Sequence, residues 1–120
     1  MTITIEEVEK IKNDIEYTYQ GCLLTNFGLN KENYREYDVE NDEILPSKPL
    51  MIDNINRAIQ EIPFFVKRQR NYNFLCDDGT EHFNGLNHMD ISVGEFTIAM
   101  VYLGFKFKYR TYVFFNCKLL

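Results

Sequence analysis

The C-terminal stretch, residues 92–120, constrains the fold most tightly, because it contains a helix, a stop signal and a strand in one run. Ser92 and Glu95 have the spacing of a capping box, in which each side chain bonds a free backbone N–H of the first helical turn. The apolar residues that follow recur at the interval of one buried helix face, namely Phe96, Ala99, Met100 and Leu103. Gly104 stands where a left-handed residue ends a helix. The sequence therefore predicts a helix over residues 92–103.

After Gly104 the hydrophobic period changes to two, which is typical of a β-strand. One side carries mostly apolar residues (Phe105, Phe107, Tyr109, Thr111, Val113, Phe115 and Cys117), and the other carries Lys106, Lys108, Arg110, Tyr112, Phe114, Asn116 and Lys118. We expect a strand over residues 105–118, with a bend or a second hairpin near Tyr109–Arg110 because the run exceeds the usual strand length. The second side mixes charged and aromatic groups, so we expect a helix or another subunit to cover it. A homo-oligomer through the 105–118 strand is therefore a prediction.

The segments before residue 92 predict further helices and a hairpin. Thr4 and Glu7 form a second capping box that opens an acidic helix over residues 4–20, with a buried stripe at Ile5, Val8, Ile11, Ile15, Tyr19 and Cys22. Residues 24–48 lack periodicity and predict an irregular acidic loop. Residues 47–49 begin a helix over 49–62, with Pro49 near its first position.

The remaining segments complete the prediction of the fold. Residues 64–68 and 72–76 predict two strands of a hairpin spanning 64–76. Asp77–Thr80 and Asn84–Gly85 predict turns. Together these features predict a single α+β domain over residues 1–120, with two to three helices packed on a small antiparallel sheet and a C-terminal helix–glycine–strand unit.

Charge and cysteine usage limit the classes of protein that fit this chain. The formal net charge is −5, and its distribution is uneven: residues 1–46 carry −7 and residues 47–120 carry +2. The three cysteines lack C-x-x-C spacing, so we expect buried reduced thiols rather than a disulfide framework or a zinc knuckle. No secretory signal pattern opens the chain, and its apolar runs are too short to span a membrane, which leads us to expect a cytoplasmic protein.

The residues that offer chemistry are few and fit no known catalytic motif. His82, His88 and Asp90 lie in the predicted turn-rich segment with Asp77 and Asp78, and they would allow a metal-assisted hydrolase. Their spacing matches no metal-binding motif, and the chain has no glycine-rich phosphate loop or nucleophile elbow. We therefore expect a protein that is not an enzyme and needs no cofactor.

A basic set of residues provides an alternative function. A cluster of cations beside an aromatic ring could bind an anionic group such as a nucleotide phosphate. The candidate residues for such a cluster are Arg57, Lys106, Lys108, Arg110 and Tyr112. Lysines on a strand also guard its edge against aggregation, which is the competing interpretation. The overall acidity argues against general nucleic-acid binding and favours a binder of a small anionic nucleotide.

The acidic residues provide the main hypothesis. Partner-binding candidates in the acidic segment and on the first helix are Glu9, Glu16, Glu32, Glu36, Asp38, Glu40, Asp42 and Glu43. If the segment were extended, Glu36, Asp38, Glu40 and Asp42 would project from one side, with a spacing loosely like that of phosphates. A mobile connector is the competing interpretation of the same segment. We expect these residues to bind a basic groove of a partner protein, possibly a nucleic-acid-binding enzyme.

The general character of the chain points in the same direction. A compact, acidic chain that lacks catalytic motifs and is rich in Asn, Lys, Ile, Phe and Tyr resembles the inhibitors and immunity proteins carried by phages and mobile elements of low-GC bacteria. The resemblance covers the whole chain and includes no specific motif. It implies a non-catalytic inhibitor that acts in the cytoplasm of a bacterial host, such as a phage counter-defence (anti-CRISPR-like) protein or a toxin immunity protein.

Overall fold

Four α-helices and nine short strands occur along residues 2–120, the part of the chain that the computed structural model describes. The α+β prediction is confirmed, with four helices rather than two to three and with the strands divided among four small antiparallel sheets. In chain order the elements are α1 (Ile5–Thr18), β1 (Cys22–Thr25), β2 (Gly28–Lys31), β3 (Glu36–Asp38), β4 (Glu43–Leu45), α2 (Ile52–Glu61), a 3-10 turn (Ile62–Phe64), β5 (Val66–Arg68), β6 (Phe74–Leu75), α3 (Cys76–Asn87), α4 (Val93–Tyr102), β7 (Phe107–Arg110), β8 (Tyr112–Phe115) and β9 (Cys117–Leu119).

Helix α4 forms the centre of the molecule. Its residues from Gly94 to Met100 are all buried, because α1, α2, α3 and β2 pack around it. The prediction of a single buried face is therefore wrong, although the capping box is confirmed: the Ser92 hydroxyl accepts from the Glu95 N–H at 3.1 Å, and the Ser92 N–H donates to the Glu95 carboxylate at 2.9 Å. Gly104 has a φ of 90°, as expected of the residue that ends this helix.

Helices α1 and α2 differ from their predictions at the ends. The Thr4–Glu7 capping box of α1 is confirmed, whereas Ile5 in the predicted buried stripe is 62% exposed. Helix α2 begins at Ile52 rather than at residue 49, so Pro49 lies outside the helix. No side chain of its own segment caps α2; instead the Glu95 carboxylate of α4 accepts the backbone N–H of Met51.

Residues 24–48 do not form the irregular loop that was predicted. Most of them lie in two hairpins, β1–β2 and β3–β4, with residues 32–35 between the hairpins and 46–48 after them. The first hairpin is buried through Leu24 and Leu29, which pack in the core, and Gly28 supports its turn with a φ of 98°. Strands of three or four residues are too short to establish a visible period among so many turn-forming residues, which is why the sequence pattern missed them.

The C-terminal strands pair with partners that are distant in sequence. The predicted 64–76 hairpin is wrong, because β5 pairs with β9 and β6 pairs with β8. The predicted 105–118 strand is divided into β7, β8 and β9, and the anticipated second hairpin lies at Thr111, whose φ is 67°. Its two-sided alternation is confirmed, since Phe115 and Cys117 are buried while Lys108 and Lys118 are exposed. Local patterns predict that a strand exists but not which strand it joins.

Helix α3 replaces the turns that were predicted at residues 77–80 and 84–85. Asp77 and Asp78 occupy its first turn, where carboxylates interact favourably with the helix dipole. Cys76, Thr80 and Phe83 share one helical face and are buried. Tertiary packing thus overrides the turn preference of Asp and Gly in this segment. All three cysteines are buried free thiols, as predicted.

No helix among residues 2–120 has the length and apolar character needed to cross a bilayer.

Candidate protein-binding site

The β3–β4 hairpin carries the acidic side chains of its strands on one face and two exposed apolar side chains on the other. Its register pairs Tyr37 with Ile44 and Asp38 with Glu43. Residues directly opposite each other share a face and neighbours along a strand alternate. Tyr37 and Ile44 therefore lie on one face, and the other face carries Glu36, Asp38, Glu43 and the half-buried Leu45. This two-stranded sheet pairs with no other strand of residues 2–120. Neither of its edges is extended by a further strand of the described residues.

The apolar face of the hairpin is uncovered. Tyr37 is 51% exposed and Ile44 is 59% exposed, and Val39 in the connecting turn is 81% exposed. A scattered exposed apolar side chain is ordinary, but three within one short hairpin, two of them paired across its strands, fit a contact with another molecule.

The acidic face forms no salt bridge among residues 2–120. Asp38 and Glu43 stand directly opposite each other, an arrangement in which like charges destabilise a sheet. Within residues 2–120 the salt bridges are Lys10–Asp14 and Lys12–Glu16, both on α1 and neither near these carboxylates in sequence. Arg35 precedes the hairpin, yet its guanidinium donates to the backbone carbonyls of Glu32 and Tyr34. The hairpin carboxylates thus form no salt bridge within residues 2–120, although Lys31 and Arg35 line a cleft that Glu36 also lines.

Two of the predicted binding carboxylates help to form the hairpin turn. Asp38 accepts from the Asn41 side chain at 2.7 Å and from the backbone N–H groups of Glu40 and Asn41, and these bonds lower its pKa, the Asn41 side chain contributing most. Asp42 has a φ of 53° and accepts from the Tyr37 hydroxyl. The prediction that Glu36, Asp38, Glu40 and Asp42 project from one side is therefore wrong, because β3 ends at Asp38.

A cleft of about 430 Å³ adjoins the hairpin and contains a carboxylate that the sequence did not assign to it. Glu36 and Tyr34 line the cleft together with Asp77 from α3 and Tyr112 from β8. The Tyr34 hydroxyl donates to Glu36, and this bond is the main cause that raises the pKa of Tyr34 to about 12. The pKa of Asp77 is raised first by burial and then by the carboxylates of Asp78 and Glu36. No local pattern links residues so far apart, so only the fold reveals this pair of carboxylates.

The other predicted acidic residues differ in their surroundings. Glu9 and Glu32 are exposed. Glu16 is engaged within the molecule, because it pairs with Lys12 at 3.0 Å and accepts the Leu24 backbone N–H at 2.8 Å. We therefore remove Glu16 from the candidate binding residues.

The histidines and Asp90 do not form a site. The ring of His82 lies 5.7 Å from that of Phe65, and His88 is the left-handed residue that ends α3. Asp90 lies between α3 and α4. In the described chain, residues 2–120, no three His, Cys, Asp or Glu side chains are grouped so that they could hold a metal ion.

The basic set is also divided by the fold. Lys106 and Lys108 line a groove of about 470 Å³ between α1 and β7, and the Lys108 ammonium lies 4.5 Å from the centre of the Tyr72 ring. Arg57 is on α2 and Arg110 is at the far end of β7, and neither lines this groove. Tyr112 lines the cleft beside the acidic hairpin instead.

Comparison with known proteins adds no assignment: no protein-family model, curated protein or solved structure matches this chain.

Proposed function

We propose that this protein is a non-catalytic inhibitor that binds a basic surface of a partner protein through the β3–β4 hairpin. One observation carries the proposal: the carboxylates of the hairpin have no cationic partner among residues 2–120, although Asp38 and Glu43 face each other across the strands. A cationic partner surface would interact favourably with these carboxylates, which form no salt bridge within the described residues.

The two faces of the hairpin would contribute in different ways. Glu40 and Glu43 are exposed and would attract a basic surface over a distance, which raises the association rate. Tyr37 and Ile44 would supply buried contact area once the surfaces meet, and aromatic anchors of this kind often dominate binding energy. The pairing of charge with exposed apolar area favours a protein surface over a simple counter-ion.

The adjoining cleft suits an arginine side chain of that partner. Glu36 and Asp77 offer carboxylate oxygens, and Tyr34 and Tyr112 offer aromatic rings in the same cleft. A guanidinium group forms paired bonds with carboxylates and stacks on aromatic faces, which an ammonium group does less well. Basic grooves that bind nucleic acid are rich in such side chains.

The partner class follows from this chemistry. A protein whose groove normally binds phosphates would accept the acidic hairpin in their place, which fits a nucleic-acid-binding enzyme. Together with the resemblance of the chain to inhibitors of phages and mobile elements, this favours a counter-defence inhibitor or a toxin immunity protein that acts in the bacterial cytoplasm.

The proposal is tested by capture of the partner from a host-cell lysate. The test variant, Glu40→Gln/Glu43→Gln, removes two exposed charges that make no side-chain bond in the hairpin. The matched control, Glu6→Gln/Glu81→Gln, removes two exposed charges from α1 and α3. We expect the wild type and the control to retain the same basic protein and the hairpin variant to lose it. Retention of that protein by all three would contradict the proposal.

A further inference from the structure

Strand β7 has one free edge. It lies at the side of its sheet, whose order is β6–β8–β7, so it bonds only to β8. The Asn116 N–H donates to the Lys106 carbonyl at 3.0 Å, so the backbone groups of Lys106 point toward β8. Backbone direction alternates along an antiparallel strand, so the backbone groups of Lys108 also point toward β8. The N–H and C=O groups of Phe107 and Tyr109 therefore point away from β8. Within residues 2–120 no other strand pairs with them.

An apolar groove follows this edge. It has a volume of about 470 Å³ and is lined by Ile15 of α1, by Tyr19, which follows that helix, and by Phe105 and Phe107. The Tyr19 ring stacks on the Phe107 ring, with centres 5.6 Å apart. The lining includes Phe107 from one side of the strand and its neighbours Lys106 and Lys108 from the other side. The groove therefore runs along the strand edge rather than over one face of the sheet.

Unpaired cations border the same groove. Lys106 and Lys108 are exposed and form no salt bridge among residues 2–120. Asp14, the acidic residue in the lining, is already paired with Lys10 at 2.8 Å. The groove is therefore locally positive on a chain whose net charge is −5.

We propose that this edge binds an extended acidic peptide segment by strand addition. Main-chain bonds to Phe107 and Tyr109 hold the segment, as in other cases where a peptide extends a sheet. Acidic side chains at alternate positions, about 6.6 Å apart, meet Lys106 and Lys108. The intervening apolar side chains fall on the Tyr19 side of the groove. This surface is opposite in charge to the β3–β4 hairpin, so the inference is independent of the proposed function.

An extended peptide fits the groove better than a nucleotide does. A nucleotide would use the two lysines and the Tyr72 ring, but it would leave the backbone groups of Phe107 and Tyr109 without partners. An alternating acidic and apolar segment satisfies the lysines, the apolar wall and the strand edge together.

The test is a titration of the ¹⁵N-labelled protein with the peptide acetyl-Val-Glu-Val-Glu-Val-Glu-amide, followed by NMR. We expect the amide signals of Phe107 and Tyr109 to shift and their hydrogens to exchange more slowly. The Lys106→Gln/Lys108→Gln variant is expected to bind about tenfold more weakly, which is about 1.4 kcal/mol for the loss of two solvent-exposed charge contacts. Lys106→Arg/Lys108→Arg restores binding, and the matched control Lys67→Gln/Lys118→Gln, on β5 and β9, leaves it unchanged.

Two further ligands separate strand addition from other modes. A peptide methylated on alternate backbone nitrogens keeps its charge but cannot extend the sheet, so we expect it not to bind. Equal binding of the methylated peptide would overturn the proposal, as would the absence of any shift with the acidic peptide. It would also fail if adenosine monophosphate alone shifted these signals, or if sedimentation showed that a second copy of the chain already covers the edge.

Discussion

Replacement of Glu95 by alanine is expected to destabilise the fold by about 3 kcal/mol. Glu95 is only 3% exposed, and its carboxylate accepts from the Ser92 N–H at 2.9 Å, the Met51 N–H at 2.5 Å and the Asn54 side chain at 3.2 Å. It therefore caps α4 and joins the start of α4 to the start of α2. Loss of the capping interaction costs about 1 kcal/mol. Each of the two bonds to α2 adds about 1 kcal/mol after allowance for the cost of burying a carboxylate.

Glu7 provides a matched control for this estimate. It holds the same capping-box position in α1, where the Thr4 backbone and hydroxyl donate to it, but it is exposed and reaches no other helix. Glu7→Ala should therefore cost about 1 kcal/mol, the value of the cap alone. Urea denaturation followed by circular dichroism measures both variants. Equal losses for Glu7→Ala and Glu95→Ala would refute the assignment of Glu95 as the link between α2 and α4.

Three further predictions address packing, charge and thiol chemistry. Gly94→Ala should unfold the protein or lower its urea midpoint sharply, because the new Cβ would lie 1.9 Å from a backbone carbonyl oxygen of β1. Gly85→Ala, in open space on α3, should instead raise the free energy of unfolding by about 0.5–1 kcal/mol in the same assay. Asp77→Asn should raise the urea midpoint at pH 7, because the raised pKa of Asp77 shows that burial and the carboxylates of Asp78 and Glu36 outweigh the favourable helix dipole. Ionisation therefore disfavours folding as the pH rises above the pKa of the unfolded chain, so the gain should disappear below about pH 3, and a gain that persists there would contradict this explanation. Burial raises the pKa of both Cys76 and Cys117 to about 12, so both thiols should resist alkylation at pH 8 until urea unfolds the chain. Rapid labelling of Cys76 or Cys117 in the native protein, located by mass spectrometry of its peptides, would contradict this.

The parts of the fold that the sequence predicted are those that local interactions decide. Both capping boxes depend on residues three positions apart, and both are present in the structure. The end of α4 before Gly104 and the alternation of buried and exposed side chains after it also depend on residues close together in the sequence. Helix α3 was missed because its turn-forming residues are overridden by packing: Gly79 lies so close to the Phe74 ring that a Cβ there would come within 2.2 Å of it.

Strand pairing and the assembly of the site depend on contacts between distant residues. The strand at 66–68 was recognised, but its partner at 117–119 is set by the closure of the whole core. The acidic character of residues 36–43 was equally visible in the sequence. Its organisation into an acidic and an apolar face required the hairpin register, and the contribution of Asp77 required the position of α3.

The central claim is that the β3–β4 hairpin binds a basic partner through charge on one face and apolar area on the other. The most direct measurement is the affinity for the captured partner, by calorimetry at several salt concentrations, for the wild type, Glu40→Gln/Glu43→Gln and Tyr37→Ser. Neutralising the two carboxylates should weaken binding and reduce its dependence on salt, because screened attraction is lost. Tyr37→Ser should weaken binding while leaving the salt dependence unchanged, since it removes apolar contact and not charge. Wild-type affinity and salt dependence in both variants would contradict the claim.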